Sequence, residues 1–117
     1  MYTISKQFQF SASHLLDGLP VEHPCGRLHG HNYVVEIVLE SQHLDHVGFV
    51  RDYKELGLFK DYIDTTLDHQ HLNFVLDFQP SAENLARHFF DWCRQRWPEV
   101  AAARVSETEK TWAEYRP

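Results

Sequence analysis

Between Asn32 and Glu40 the side chains alternate strictly, with Tyr33, Val35, Ile37 and Leu39 on one parity and Val34, Glu36, Val38 and Glu40 on the other. This is the two-residue period of a strand with one buried and one partly wetted face, and it predicts an antiparallel sheet. The strand is entered through Cys25-Gly26-Arg27-Leu28-His29-Gly30-His31. If extension begins at His29, both imidazoles project from the same face toward one point. Gly30 between them leaves room for another backbone or a substrate to approach. An earlier run, Phe8 to His14, puts Phe8, Phe10, Ala12 and His14 on one parity. Three neutral imidazoles with one position open is the ligand set of a catalytic Zn²⁺. The chain holds nine histidines, so a His-x-His pair also arises without a metal, as an ordinary loop or surface pair.

The rest of the chain reads as strand, strand, helix, helix, strand, strand. Tyr2 to Ala12 is the first strand and Asn32 to Glu40 the second; Leu15 to Leu28, with Gly18, Pro20, Pro24 and Gly26, is a loop that carries Cys25 toward the histidines. After a turn at Asp45 to Gly48, Asp52-Tyr53-Lys54-Glu55 has the form of a capping box. A helix is expected from there to about Thr66, burying Leu56, Phe59, Ile63 and Leu67. Ser81 caps a second helix through Leu85, Phe89 and Trp92, stopping before Pro98. Ala101 to Glu109 and Trp112 to Tyr115 read as two closing strands. The fold class is α+β, with both helices on one face of an antiparallel sheet.

At 117 residues the chain fits one domain, 1–117. No apolar run reaches the roughly 18 residues that span a bilayer, and the start, Met1-Tyr2-Thr3-Ile4-Ser5-Lys6, is not a signal region, so a cytoplasmic location and no membrane partner are expected. Two cysteines do not make a disulfide framework, so Cys25 and Cys93 are expected to be free thiols. A net charge of −6 argues against a nucleic-acid partner.

Three further residues or groups invite chemistry. Cys25, four residues before His29, is either a fourth ligand closing a structural zinc or a thiolate beside an open one, acting as base or nucleophile, and the sequence favours the second. Asp68 and His69 form a pair in which a carboxylate orients an imidazole if the backbone turns sharply; Asp68 is equally readable as an exposed residue at a helix end. Glu107, after the apolar run Ala103 to Ser106, either faces solvent or accepts paired hydrogen bonds from a planar amino-heterocycle.

Taken in order, Phe10-Ser-Ala-Ser-His14, Cys25-Gly-Arg-Leu-His29-Gly-His31-Asn-Tyr, Leu67-Asp68-His69, Leu72-Asn73, Pro80-Ser-Ala-Glu-Asn84, Ser106-Glu107-Thr108 and Trp112-Ala-Glu-Tyr115 resemble the 6-pyruvoyl-tetrahydropterin synthase superfamily over nearly the whole chain. The Cys-x3-His-x-His spacing resembles the 6-carboxy-tetrahydropterin synthases of queuosine biosynthesis, the pyruvoyl-forming members having a longer gap. The resemblance implies a tunnelling fold (T-fold) assembled as trimers that close into a barrel, two trimers making a hexamer, with active sites between subunits. It implies zinc on His14, His29 and His31, proton transfer by Cys25 with Asp68 and His69, and a pterin anchored by Glu107. The substrate implied is 7,8-dihydroneopterin triphosphate, converted to 6-carboxy-5,6,7,8-tetrahydropterin with loss of acetaldehyde and triphosphate. A pyruvoyl-forming synthase and a non-catalytic zinc- or pterin-binding module are the alternatives. His71 and Cys93 receive no role.

Overall fold

The computed structural model describes every residue, Met1 to Pro117. Two 13-residue strands, β1 (Tyr2–His14) and β2 (His29–Ser41), form a long antiparallel ribbon in which Tyr2 faces Ser41 and His14 faces His29. Both strands reach beyond the expected Ala12 and Asn32, so that each of the three histidines sits on regular strand. β4 (Val100–Thr108) pairs antiparallel with β2, and β5 (Thr111–Tyr115) with β4. At the other edge, the two-residue strand β3 (Gln70–His71) runs parallel to β1, giving the order β3-β1-β2-β4-β5. The sheet is therefore mixed, not wholly antiparallel. The helical segment after β2 carries the chain past β1 to its far edge, where β3 runs opposite to β2 and therefore parallel to β1.

The expected first helix is also more broken than its spacing suggests. A 3₁₀ turn, Tyr53–Leu56, leads into α1 (Gly57–Tyr62), whose last turn widens into a π turn, Ile63–Leu67. Asp52 does cap the start, its carboxylate accepting from the Lys54 amide at 2.9 Å. Glu55 does not close the capping box. It pairs with Arg51 at 2.6 Å, a charged partner that outcompetes a neutral amide. Leu56, Phe59, Ile63 and Leu67 are nevertheless all buried, because helical spacing survives the change of pitch.

A short helix, α2 (Leu72–Val75), precedes α3 (Ala82–Arg94), which Ser81 caps by accepting from the Asn84 amide at 3.2 Å. α3 buries Leu85, Ala86, Phe89, Phe90 and Cys93 against the sheet. Phe59 joins the two helical layers to β1, meeting Phe8 edge-on at 5.0 Å and Phe89 at 5.5 Å between centroids. On the sheet, Tyr33, Val35, Ile37 and Leu39 are fully buried beneath the helices, as their parity requires. The other face is mixed, with Glu36 bound to Arg104 at 3.0 Å across β2 and β4 and a buried pair, Val38 and Ala102, beside it. No helix is long and apolar enough to cross a membrane.

Candidate metal centre and active site

The hairpin register sets the site. Because His14 pairs with His29 and His31 lies two residues further on the same face, three imidazoles are delivered to one spot at the end of the core. One ring nitrogen from each lies within 4.8 Å of the others. His14 is fully buried, and His29 and His31 are half-buried.

Hydrogen bonds fix which nitrogens converge. His14 Nδ1 donates to the Pro80 carbonyl at 2.7 Å, and His29 Nδ1 donates to the Arg27 carbonyl at 2.6 Å. Those bonds put the proton of each neutral ring on Nδ1, so both Nε2 atoms present lone pairs, and they face each other at 2.7 Å. Two acceptors at that distance repel unless a cation lies beside them. His31 Nε2 is buried without any hydrogen-bond partner. A donor set of two opposed lone pairs and one orphaned nitrogen fits a metal ion. Burial lowers the pKa of His14 and of His31, which keeps both rings in the neutral, ligating form.

Tyr33, fully buried, places its hydroxyl 3.1 Å from His14 Nδ1, and its ring packs edge-on to His31 at 5.5 Å between centroids. Its alternation marked it as core; nothing in the spacing marked it as a support for the histidines. The Pro80 and Arg27 carbonyls are also invisible to side-chain motifs.

Cys25 lies in a 3₁₀ turn, Pro24–Gly26, within the loop between β1 and β2. It is half-buried and outside the three-histidine group. The turn is fixed through the backbone atoms of Cys25, its amide donating to the His23 side chain at Nδ1 at 3.1 Å and its carbonyl accepting from the Leu16 amide at 3.1 Å. Cys93 is fully buried, and burial pushes its thiol pKa far up, so it is inert.

Glu107, on β4, brings Oε2 to 3.6 Å from His31 Nε2. It borders a cleft of about 290 Å³ shared with Leu16, Ser81 and Trp112, so it faces the histidine group and a cavity at once.

Asp68 and His69 stand apart from that cavity. The sharp turn required of them is real: His69 has φ +60, in the left-handed region, and its Nδ1 meets Asp68 Oδ2 at 3.0 Å. Asp68 Oδ1 accepts from the Ser11 amide at 2.9 Å, and this bond, with help from His69, holds the carboxyl below the usual range. The His69 side chain is 81% exposed. It opens on a cleft of about 380 Å³ with Ser11, Ala12, Ser13, Gly30, His31 and Asn32, so one histidine of the group borders the same cleft.

The family model of 6-pyruvoyl tetrahydropterin synthase matches residues 3–117. The chain belongs to that family. A relative from Archaeoglobus fulgidus, provisionally named a 6-carboxy-5,6,7,8-tetrahydropterin synthase, is 32% identical over 107 residues, covering 92% of this chain and 89% of its own. The Bacillus subtilis 6-carboxy-5,6,7,8-tetrahydropterin synthase is 29% identical over 128 residues, covering 99% and 86%. Among solved structures, the Caenorhabditis elegans 6-pyruvoyl tetrahydropterin synthase superposes with a TM-score of 0.86 at 24% identity, over 99% of this chain and 95% of that one. The fold is the T-fold, and the chain is a member of a family of enzymes.

Proposed function

We propose that this protein is a zinc-dependent 6-carboxy-5,6,7,8-tetrahydropterin synthase, converting 7,8-dihydroneopterin triphosphate to 6-carboxy-5,6,7,8-tetrahydropterin with release of acetaldehyde and triphosphate, as in queuosine biosynthesis. The observation that carries the reading is the convergence of His14, His29 and His31 with their Nε2 lone pairs unpaired, and with the Glu107 carboxylate 3.6 Å from His31. The names of the relatives support the carboxy-forming reaction among those of the family.

Zinc held by the three imidazoles would supply Lewis acidity at the substrate's side-chain oxygens, lowering their pKa near neutrality. Glu107 accepts hydrogen bonds from the amino group and adjacent ring nitrogen of the pterin, fixing the ring in the cleft beside it. Cys25, free of the metal, moves protons to and from the side chain. Asp68, charged and tied to β1, orients His69 as its partner in that relay. His69 is exposed and borders a cleft with His31, and the family resemblance sets active sites between subunits, so the working unit is an assembly of trimers, two of which make a hexamer.

The decisive experiment is product analysis with dihydroneopterin triphosphate. Acetaldehyde release with a 6-carboxy product is expected; a pyruvoyl product would move the protein to the other branch of the family, and zinc binding without turnover would leave it a binding module. His29→Ala removes one of three ligands, so metal and activity should be lost together, and a full zinc complement in that variant would refute the ligand set.

A further inference from the structure

The Leu67-Asp68-His69-Gln70-His71 segment contains a second imidazole with no part in the relay. His71 lies on β3, where it pairs with Ser13 of β1, and Ser13 Oγ is 2.9 Å from His71 Nδ1. Ser13 is a polar side chain on the face opposite His14, and its hydroxyl donates to the ring when the imidazole carries its proton on Nε2. Phe74 packs edge-on against His71 at 4.7 Å between centroids, although 86% exposed.

The placement of this bond gives it a purpose. His69 holds a left-handed backbone, which a side chain other than glycine adopts only under constraint. Upstream, the constraint is the Asp68 carboxylate on the Ser11 amide at 2.9 Å; at His69 itself, the amide donates to the Ser11 carbonyl at 2.6 Å. Downstream, the two-residue ladder of β3, with Ala12 opposite Gln70 and Ser13 opposite His71, is followed by Asn73, whose side chain accepts from the Leu15 amide at 2.9 Å and donates to the Leu15 carbonyl at 2.8 Å. A ladder that short frays unless side chains secure it; Asn73 holds the chain beyond the ladder, and the Ser13–His71 bond lies on the ladder itself, nearer to His69.

We infer that His71 is a positioning residue, whose bond with Ser13 clasps β3 to β1 and so holds His69 in the conformation that closes the Asp68–His69 dyad. It is not a catalytic residue, since it acts through His69. The inference rests on the reading of that dyad as the proton relay, and it extends that reading to a residue of this chain to which the family resemblance gives no role.

The test uses the full-length, zinc-loaded protein and the variants His71→Ala, His71→Asn, Ser13→Ala and the double variant Ser13→Ala/His71→Ala. Asn carries Oδ1 where His carries Nδ1 and accepts the same hydroxyl proton. Hydrogen–deuterium exchange over residues 64–74 reports the clasp without substrate, and kcat and KM report its effect. In His71→Ala and Ser13→Ala, exchange in the segment should accelerate about 10-fold or more, and kcat should fall about 10- to 100-fold with KM changed less than about twofold. His71→Asn should restore both. The double variant should be no worse than either single one, because both remove the same bond. Melting temperature and zinc content should match the wild type, which separates a displaced relay from an unfolded protein. Wild-type exchange in His71→Ala, equal defects in His71→Ala and His71→Asn, or additive defects in the double variant would each overturn the inference. If the wild type does not release acetaldehyde, the proposed function fails, while the exchange measurements still decide whether the clasp exists.

Discussion

Replacing Cys25 by Ala separates two readings of the thiol that make opposite demands on the metal. The residue is half-buried, and the bonds that shape its turn, from its amide to His23 Nδ1 and from Leu16 to its carbonyl, use only the backbone atoms of Cys25 and survive the substitution. Loss of the sulfur itself should therefore change stability by no more than about 0.5 kcal/mol. A thiolate ligand would behave differently. Zinc present at about a thousandfold its dissociation constant stabilises the folded state by about 4 kcal/mol, and losing that would lower Tm by roughly 15 °C or more for a domain of this size. Since Cys25 lies outside the three-histidine group, the expected result is a zinc-replete protein with a wild-type Tm. Turnover should fall about 10² to 10⁴-fold, the range for a lost general acid-base group. The assay is metal analysis, a thermal melt and acetaldehyde release on one preparation. A variant that turns over at the wild-type rate would refute the catalytic role, and one that loses zinc together with stability would refute the geometry.

Glu107→Gln should weaken pterin binding about 10-fold or more by calorimetry, an acceptor and a charge being lost at once; unchanged affinity would leave His31 as the only partner of that carboxylate. In metal-free protein, stability should fall as pH drops below the ordinary histidine value of 6.5, because burial lowers the pKa of His14, His31 and His88, so the unfolded chain binds more protons there and stability rises with pH through that window. Urea melts at about pH 8, 6.5 and 5 check this, and a flat profile down to the carboxylate range would refute it. His69→Gly should leave stability unchanged or raise it by up to about 1 kcal/mol, since glycine adopts φ +60 without strain, while turnover falls at least about 10²-fold. A large loss of Tm would instead make the imidazole structural.

The alternation of Tyr33, Val35, Ile37 and Leu39 was enough to specify which face of β2 is core, and the common parity of Phe8, Phe10, Ala12 and His14 did the same for β1. Burial is a nearest-neighbour consequence of the pleat, so a local pattern encodes it. The helical spacing of Leu56, Phe59, Ile63 and Leu67 likewise named the buried side of a segment whose pitch it did not reveal. The convergence of the three histidines was legible for the same reason: strand period aims His29 and His31 together, and the hairpin puts His14 opposite. Other features depend on long-range placement. The parallel pairing of β3, the Pro80 and Arg27 carbonyls that fix two imidazole tautomers, and the Tyr33 hydroxyl on His14 arise from residues far apart in the chain or from backbone atoms that every residue carries. The Asp68–His69 contact needed a left-handed residue that sequence permits but does not demand, and the bonds to Ser11, 57 residues away in the case of the Asp68 carboxylate, supply the constraint. Sequence determined what each face of each element would present; only the packed fold decided which presented groups meet, because hydrogen bonds that select one conformer are made between elements rather than within them.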